Sequence, residues 1–224
     1  SGAMSYAYPA VPDLGRRIRT LLATYAKAGG RDACLLLHAA DGRATIARLA
    51  RRARGLPARV IPLELHHVAS AGLDVWLAAL AHGASQVAVL ATGSEAPQYR
   101  EALDGQMRIA DTIANALGYQ GEHFRIVDGD ALASLAAWVP ALGPRVSATF
   151  AATMEKRTTA ALALEHLALH APVPQTVVPL PAGSPYGLIE INKDACTMCL
   201  ACVGSCPEGA IVDGQRFDIV DRFL

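Results

Sequence analysis

The chain has 224 residues, 52% of them hydrophobic and 18% charged, which is enough for a sizeable core in one or two domains. Twenty basic residues balance twenty acidic ones, which removes the electrostatic case for a nucleic-acid partner. No apolar run approaches the roughly 20 residues that cross a bilayer, and the first residues show neither the charged nor the apolar region of a signal peptide.

Residues 1–12 read either as the tail of a preceding segment or as a cloning scar. Ser1-Gly2-Ala3-Met4-Ser5 parallels Glu208-Gly209-Ala210-Ile211-Val212, the residues after Cys206-Pro207, so both readings make the chain a piece of a longer protein. Residues 13–170 then alternate between helix and strand patterns. Leu14, Ile18, Leu21, Leu22 and Tyr25 mark a helix with Asp13 as N-cap and Gly29-Gly30 as its stop. The apolar run 33–38 reads as a strand covered on both faces, with Cys34 as a small buried hydrophobe. A helix over 41–55 carries Arg48, Arg51, Arg52 and Arg54 on a solvated face.

The strand expected over 59–65 contains Pro62, which places it at a sheet edge. Helix 72–82, strand 86–91, helix 95–117 ended by Gly118, and strand 123–127 follow. A short helix is expected within 128–138, a fifth strand over 145–150, and a last helix over 154–170. This alternation predicts an α/β domain: a doubly wound, flavodoxin-like parallel sheet with helices on both faces and right-handed crossovers.

Ligands of such sheets sit beyond the carboxyl ends of the strands. The loops there are 38–42, 66–70 and 92–95. Gly93-Ser94 before a helix is either a phosphate cradle or a plain N-cap. His66 and His67 read as a polar loop, with metal or proton chemistry as the rarer alternative. None of the three loops assembles a catalytic constellation.

A Pro-rich linker over 171–185 leads to residues 186–224, which hold Cys196, Cys199, Cys202 and Cys206 in the pattern C-x2-C-x2-C-x3-C-P. That spacing wraps thiolates around a cubane [4Fe-4S] cluster, and soft thiolate sulfur suits such iron. A structural zinc site normally has two cysteine pairs set further apart. A disulfide framework calls for a secretory setting, whereas clustered free thiolates fit the reducing cytoplasm.

Residues 32–127 resemble the delta-subunit family of methyl-viologen-reducing hydrogenases, through Leu56-Pro-Ala-Arg-Val-Ile-Pro-Leu63, Leu73-Asp-Val-Trp-Leu-Ala-Ala-Leu80, His82-Gly-Ala-Ser-Gln-Val-Ala-Val-Leu90, Tyr99-Arg100-Glu101 and Arg108-Ile-Ala-Asp111. The resemblance implies electron transfer serving a formate dehydrogenase- or hydrogenase-type partner. Family members carry cluster cysteines in loops where this chain has His66-His67 and Thr92-Gly93-Ser94, and no cysteine lies between Cys34 and Cys196. The body therefore reads as a degenerate member kept for docking or spacing.

Residues 186–212 resemble one half of a bacterial two-cluster ferredoxin: a lead-in strand at 187–192, the cysteine loop, then a turn and return strand at 207–212. In that family the cysteine before proline serves the other cluster. Cys196, Cys199 and Cys202 would then hold one cluster and Cys206 a second, with the remaining ligands beyond Leu224. Two alternatives stay open: Cys206 closes a lone cluster, or this piece holds an incomplete cluster or none. Met198, Leu200, Ala201 and Val203 are expected as an apolar shell and Gly204 as a point of close backbone approach. The resulting expectation is an electron-transfer module of a larger multi-cluster redox subunit. The alternatives are a flavin- or nucleotide-binding protein with a ferredoxin tail, and a non-catalytic scaffold or assembly factor.

Overall fold

The structure, a computed structural model, describes residues 11–52, 55–93, 95–186, 191–205, 211–212 and 220–221. It divides into two units, Ser1–Pro179 and Leu180–Leu224. The expectations for residues 1–10, Arg54, Ser94, Cys206, the lead-in strand at 187–190 and the turn at 207–210 lie outside the described residues.

The first unit contains α1 (Val11–Lys27), β1 (Cys34–His38), α2 (Ala40–Arg51), β2 (Val60–Glu64), α3 (Leu73–Ala81), β3 (Gln86–Ala91), α4 (Pro97–Ala116), β4 (Phe124–Asp128) and α5 (Lys156–Leu169). Its four strands are all parallel, in the order β2-β1-β3-β4. Every residue of β1 and β3 is buried, as strands covered on both faces require. On one face, Cys34, Leu36, Ala88, Leu90 and Val127 pack with Leu132, Leu135 and Trp138, closed over by Ile46 and Leu49 of α2. On the other face α3 packs against α5, α1 and α4, and Trp76 of α3 meets Phe124 of β4 at 6.2 Å.

Pro62 is where the sequence puts it, on an outer strand. Cys34 donates to the Arg59 carbonyl and Leu65 to that of His38, so the odd-numbered residues of β2 face β1 and Pro62 faces outward. Helix α1 ends as expected: Gly29 adopts φ 85°, and Gly29 and Gly30 donate to the carbonyls of Ala26 and Tyr25. Its start differs, because α1 already begins at Val11. Asp13 lies inside the first turn and pairs with Arg16 at 2.9 Å instead of capping.

The fifth strand does not form. Residues 145–150 run past the middle of α1 and the end of α3, where Ala148 donates to Ala81 and the Thr149 carbonyl accepts from Arg19. A parallel strand beside β4 needs a long crossover, usually a helix. Only a 3-10 stretch, Gly129–Ala136, stands there, and Leu142 is tied to Gln120 at the amino end of the sheet. The sheet thus has the first four strands of the flavodoxin-like order and lacks the last.

Beneath the amino ends of the strands lies a polar girdle. Gln86, fully buried, accepts from Arg59 at 2.7 Å and donates to the Glu122 and Val139 carbonyls. Trp138 donates to Glu122 at 3.0 Å and lies under the Arg125 guanidinium at 4.6 Å. Replacing Gln86 by Leu removes its three hydrogen bonds, leaving half-buried Arg59 with only the Asp32 and Trp138 carbonyls and the Glu122 and Val139 carbonyls without this donor, and is expected to cost about 1–3 kcal/mol. Urea unfolding followed by tryptophan fluorescence reads this unit alone, because Trp76 and Trp138 are the chain's two tryptophans.

A second handle is Asp111, which accepts from the backbone N–H of buried His123 at 2.9 Å. Burial pushes its carboxyl from 3.8 up to about 6, against hydrogen bonds from His123 and Phe124. The folded chain therefore holds that proton more tightly than the unfolded chain does. Its stabilising contribution is complete below the unfolded value of 3.8 and is lost as pH rises through about 6. In pH-dependent urea melts Asp111→Asn is expected to gain stability relative to wild type as pH rises across that window, by removing this one unfavourable contribution.

Candidate functional site

The second unit places three of the four expected ligands in one loop. Asn192 opens it: its Oδ1 accepts from Asp194 and Ala195, and its carbonyl also accepts from Ala195, which turns the chain into Cys196. Cys196 is half-buried, Cys199 and Cys202 are exposed, and all three are free thiols. After Leu200 the chain enters α6 (Ala201–Ser205), where Gly204 donates to the Leu200 carbonyl. Beyond the loop, β5 (Ile211–Val212) pairs antiparallel with β6 (Val220–Asp221).

The backbone between the cysteines is unusual. Met198 and Leu200, on either side of Cys199, both adopt left-handed conformations, with φ 55° and 58°. Neither residue type favours that region, and each such residue costs roughly 1–2 kcal/mol. The bends turn backbone donors toward sulfur. The Ala201 N–H, then the Thr197 hydroxyl and the N–H of Cys199 itself, donate to the Cys199 sulfur and draw its thiol below the usual range. Donors of this kind also set the potential of a thiolate-bound cluster.

The spacing of the cysteines is that of a cluster-binding loop. A cubane takes its thiolates at separate corners, so three cysteines spaced along an exposed loop suffice for three corners. Met198 and Leu200 are 49% and 41% exposed, and Ala201 is exposed too, so only Val203 of the expected shell is partly buried. Gly204 is not crowded: an added Cβ would meet no atom within 4 Å.

The loops at the carboxyl ends of the first unit's strands serve structure. The Thr92 and Gly93 N–H groups, which a phosphate would need, donate to the Glu95 carboxylate at 3.0–3.2 Å. Partial burial pushes that carboxyl up, but hydrogen bonds from its own N–H and those of Thr92 and Gly93 bring it below its usual value. His67 accepts from Ala69 through Nδ1, capping a 3-10 turn, and stands edge-on to Tyr99. His66 is exposed in the same loop. Arg48 bonds Thr45 on the exposed face of α2, and Arg51 and Arg52 are exposed beyond it. Cys34 is fully buried, and burial pushes its thiol up to about 11.

Sequence reasoning found the cysteines from spacing alone. It missed the left-handed bends, for which Met and Leu give no signal, and the internal use of the Thr92-Gly93 amides, which Glu95 at i+2 and i+3 hints at.

The thiols are expected to react in a fixed order. In the metal-free protein at pH 7, iodoacetamide labels Cys199 faster than Cys196 or Cys202, and Cys34 only after unfolding. Peptide mass spectrometry reads the order, and Thr197→Val is expected to slow Cys199 selectively.

Comparison with known proteins bears on the same loop. No curated protein and no solved structure matches the chain. Residues 188–211 match the 4Fe-4S binding domain, a stretch that contains Cys196, Cys199, Cys202 and Cys206. The C-terminal unit thus carries a ferredoxin-type iron–sulfur segment whose cofactor is a [4Fe-4S] cluster.

Proposed function

We propose that the chain is an electron-transfer module of a larger multi-cluster redox subunit, with Cys196, Cys199, Cys202 and Cys206 as its iron ligands. The observation that carries this reading is the cysteine run itself, inside the segment that matches a 4Fe-4S binding domain. A bound [4Fe-4S] cluster supplies one-electron storage and transfer at a potential its surroundings tune. Thr197 and Ala201 supply hydrogen bonds to a ligand sulfur. The exposure of Cys199 and Cys202 keeps the site within reach of a partner's redox centre. One-electron transfer needs no general base or nucleophile.

The partner we infer is a formate dehydrogenase- or hydrogenase-type enzyme, on the resemblance of residues 32–127 to the hydrogenase delta-subunit family. In that arrangement the α/β unit positions the C-terminal unit and does no chemistry itself. We further assign residues 171–185 as the linker between body and tail, and the cytoplasm as the compartment. Among the described residues no helix is long and apolar enough to cross a membrane.

Anaerobic reconstitution with iron and sulfide tests the reading. The expected product has broad visible absorbance that bleaches with dithionite and yields an EPR signal of a reduced cubane. Serine at Cys196, Cys199 or Cys202 is expected to abolish it. Serine at Cys206 is expected to abolish it only where that residue closes the same cluster. Zinc bound in place of iron, or a redox-silent protein, would overturn the proposal.

A further inference from the structure

The last turns of α5 carry a second set of metal-type donors, independent of the cysteine loop and on the other unit. His166, inside α5, and His170, its C-cap, stand four residues apart, so they share one face of the helix. Their ring centroids are 4.6 Å apart. Two histidines at this helical spacing are how a helix offers two imidazoles to one ion.

The hydrogen bonding settles which atom of His166 is available. Its Nε2 lies 2.9 Å from the Val146 carbonyl. A carbonyl only accepts, so Nε2 is the donor, and in the neutral ring Nδ1 keeps its lone pair. A metal-bound histidine normally makes this kind of bond through its second nitrogen, which fixes the tautomer and the ring. His170 is exposed, and among the described residues its ring makes no hydrogen bond, so it can turn to meet an ion. The setting favours positive charge. The pair sits at the carboxyl end of a 14-residue helix, where the dipole is negative. Lys156 and Arg157 lie at the opposite end, and Glu165 is the only charged residue in the last two turns.

We propose that His166 and His170 form a chelate site for a divalent ion of the zinc, nickel or cobalt class. Imidazole suits these ions, whereas magnesium and calcium prefer oxygen. Among the described residues no third protein donor joins the pair, so water completes the coordination sphere.

The test uses the full chain without a polyhistidine tag, its loop thiols blocked by alkylation, titrated with zinc chloride while histidine side-chain nitrogen resonances are followed. Zinc is expected to shift Nδ1 of His166 and the ring of His170, with Nε2 of His166 still protonated. Because the His170 ring is exposed, His170→Ala is expected to leave the circular dichroism unchanged and to weaken binding roughly tenfold or more, through loss of the second tethered ligand. Resonances of the pair that stay put in zinc, or equal affinity in His170→Ala, would overturn the proposal.

Discussion

Two strands that expose nothing on either face impose the architecture of the α/β unit. Residues 34–38 and 86–91 must pair every peptide group sideways and cover both faces with apolar side chains. Lateral pairing brings in β2 and β4 as outer strands. The two faces demand α2 with the 129–136 stretch on one side and α3, α4 and α5 on the other. Polar groups are confined to the ends of the strands. At the amino end, Gln86, Arg59 and Glu122 satisfy one another. At the carboxyl end, Glu64 pairs with Arg43, Glu95 with the Thr92-Gly93 amides, and Asp128 with Arg100. That end, where an α/β sheet would normally receive a ligand, is thus largely occupied by the chain's own ion pairs.

The C-terminal unit is governed differently. Its loop holds two bulky residues in left-handed backbone. Strain of this kind persists where something else over-determines the geometry. In small metal sites that agent is the metal, because binding energy is folding energy. Thiolates bound to a [4Fe-4S] cluster would give the loop a reason for its shape. Cluster binding and stability are then linked in this unit, whereas in the α/β unit the apolar core and the polar girdle at the amino ends of the strands supply stability.

Much of this was legible in the sequence, for identifiable reasons. Continuous apolar runs such as Leu35-Leu36-Leu37 can only be doubly covered strands, Pro62 can only sit at an edge, and cysteines two and three residues apart announce their chemistry by spacing. Residues 145–150 misled because Val146, Ala148 and Phe150 alternate like a strand, while the connection before them is too short and too firmly pinned for a crossover. The loop details were hidden for another reason. Left-handed Met198 and Leu200 flank Cys199, and no local propensity of Met or Leu encodes that. The helix expected over 154–170 already spans His166 and His170; the Val146 carbonyl that fixes the His166 ring comes from a distant loop that no local pattern points to.

The outward row of β2 has a consequence for self-association. Val60 spends its N–H on the Pro57 carbonyl and Pro62 has none, which leaves Glu64 as the sole donor along that margin. A stray β-segment approaching there would find acceptors but almost nothing to bind them in return, and an ionic side chain at the end. The sheet is therefore closed to growth on that flank by one N–H turned back on its own chain and one that proline never has.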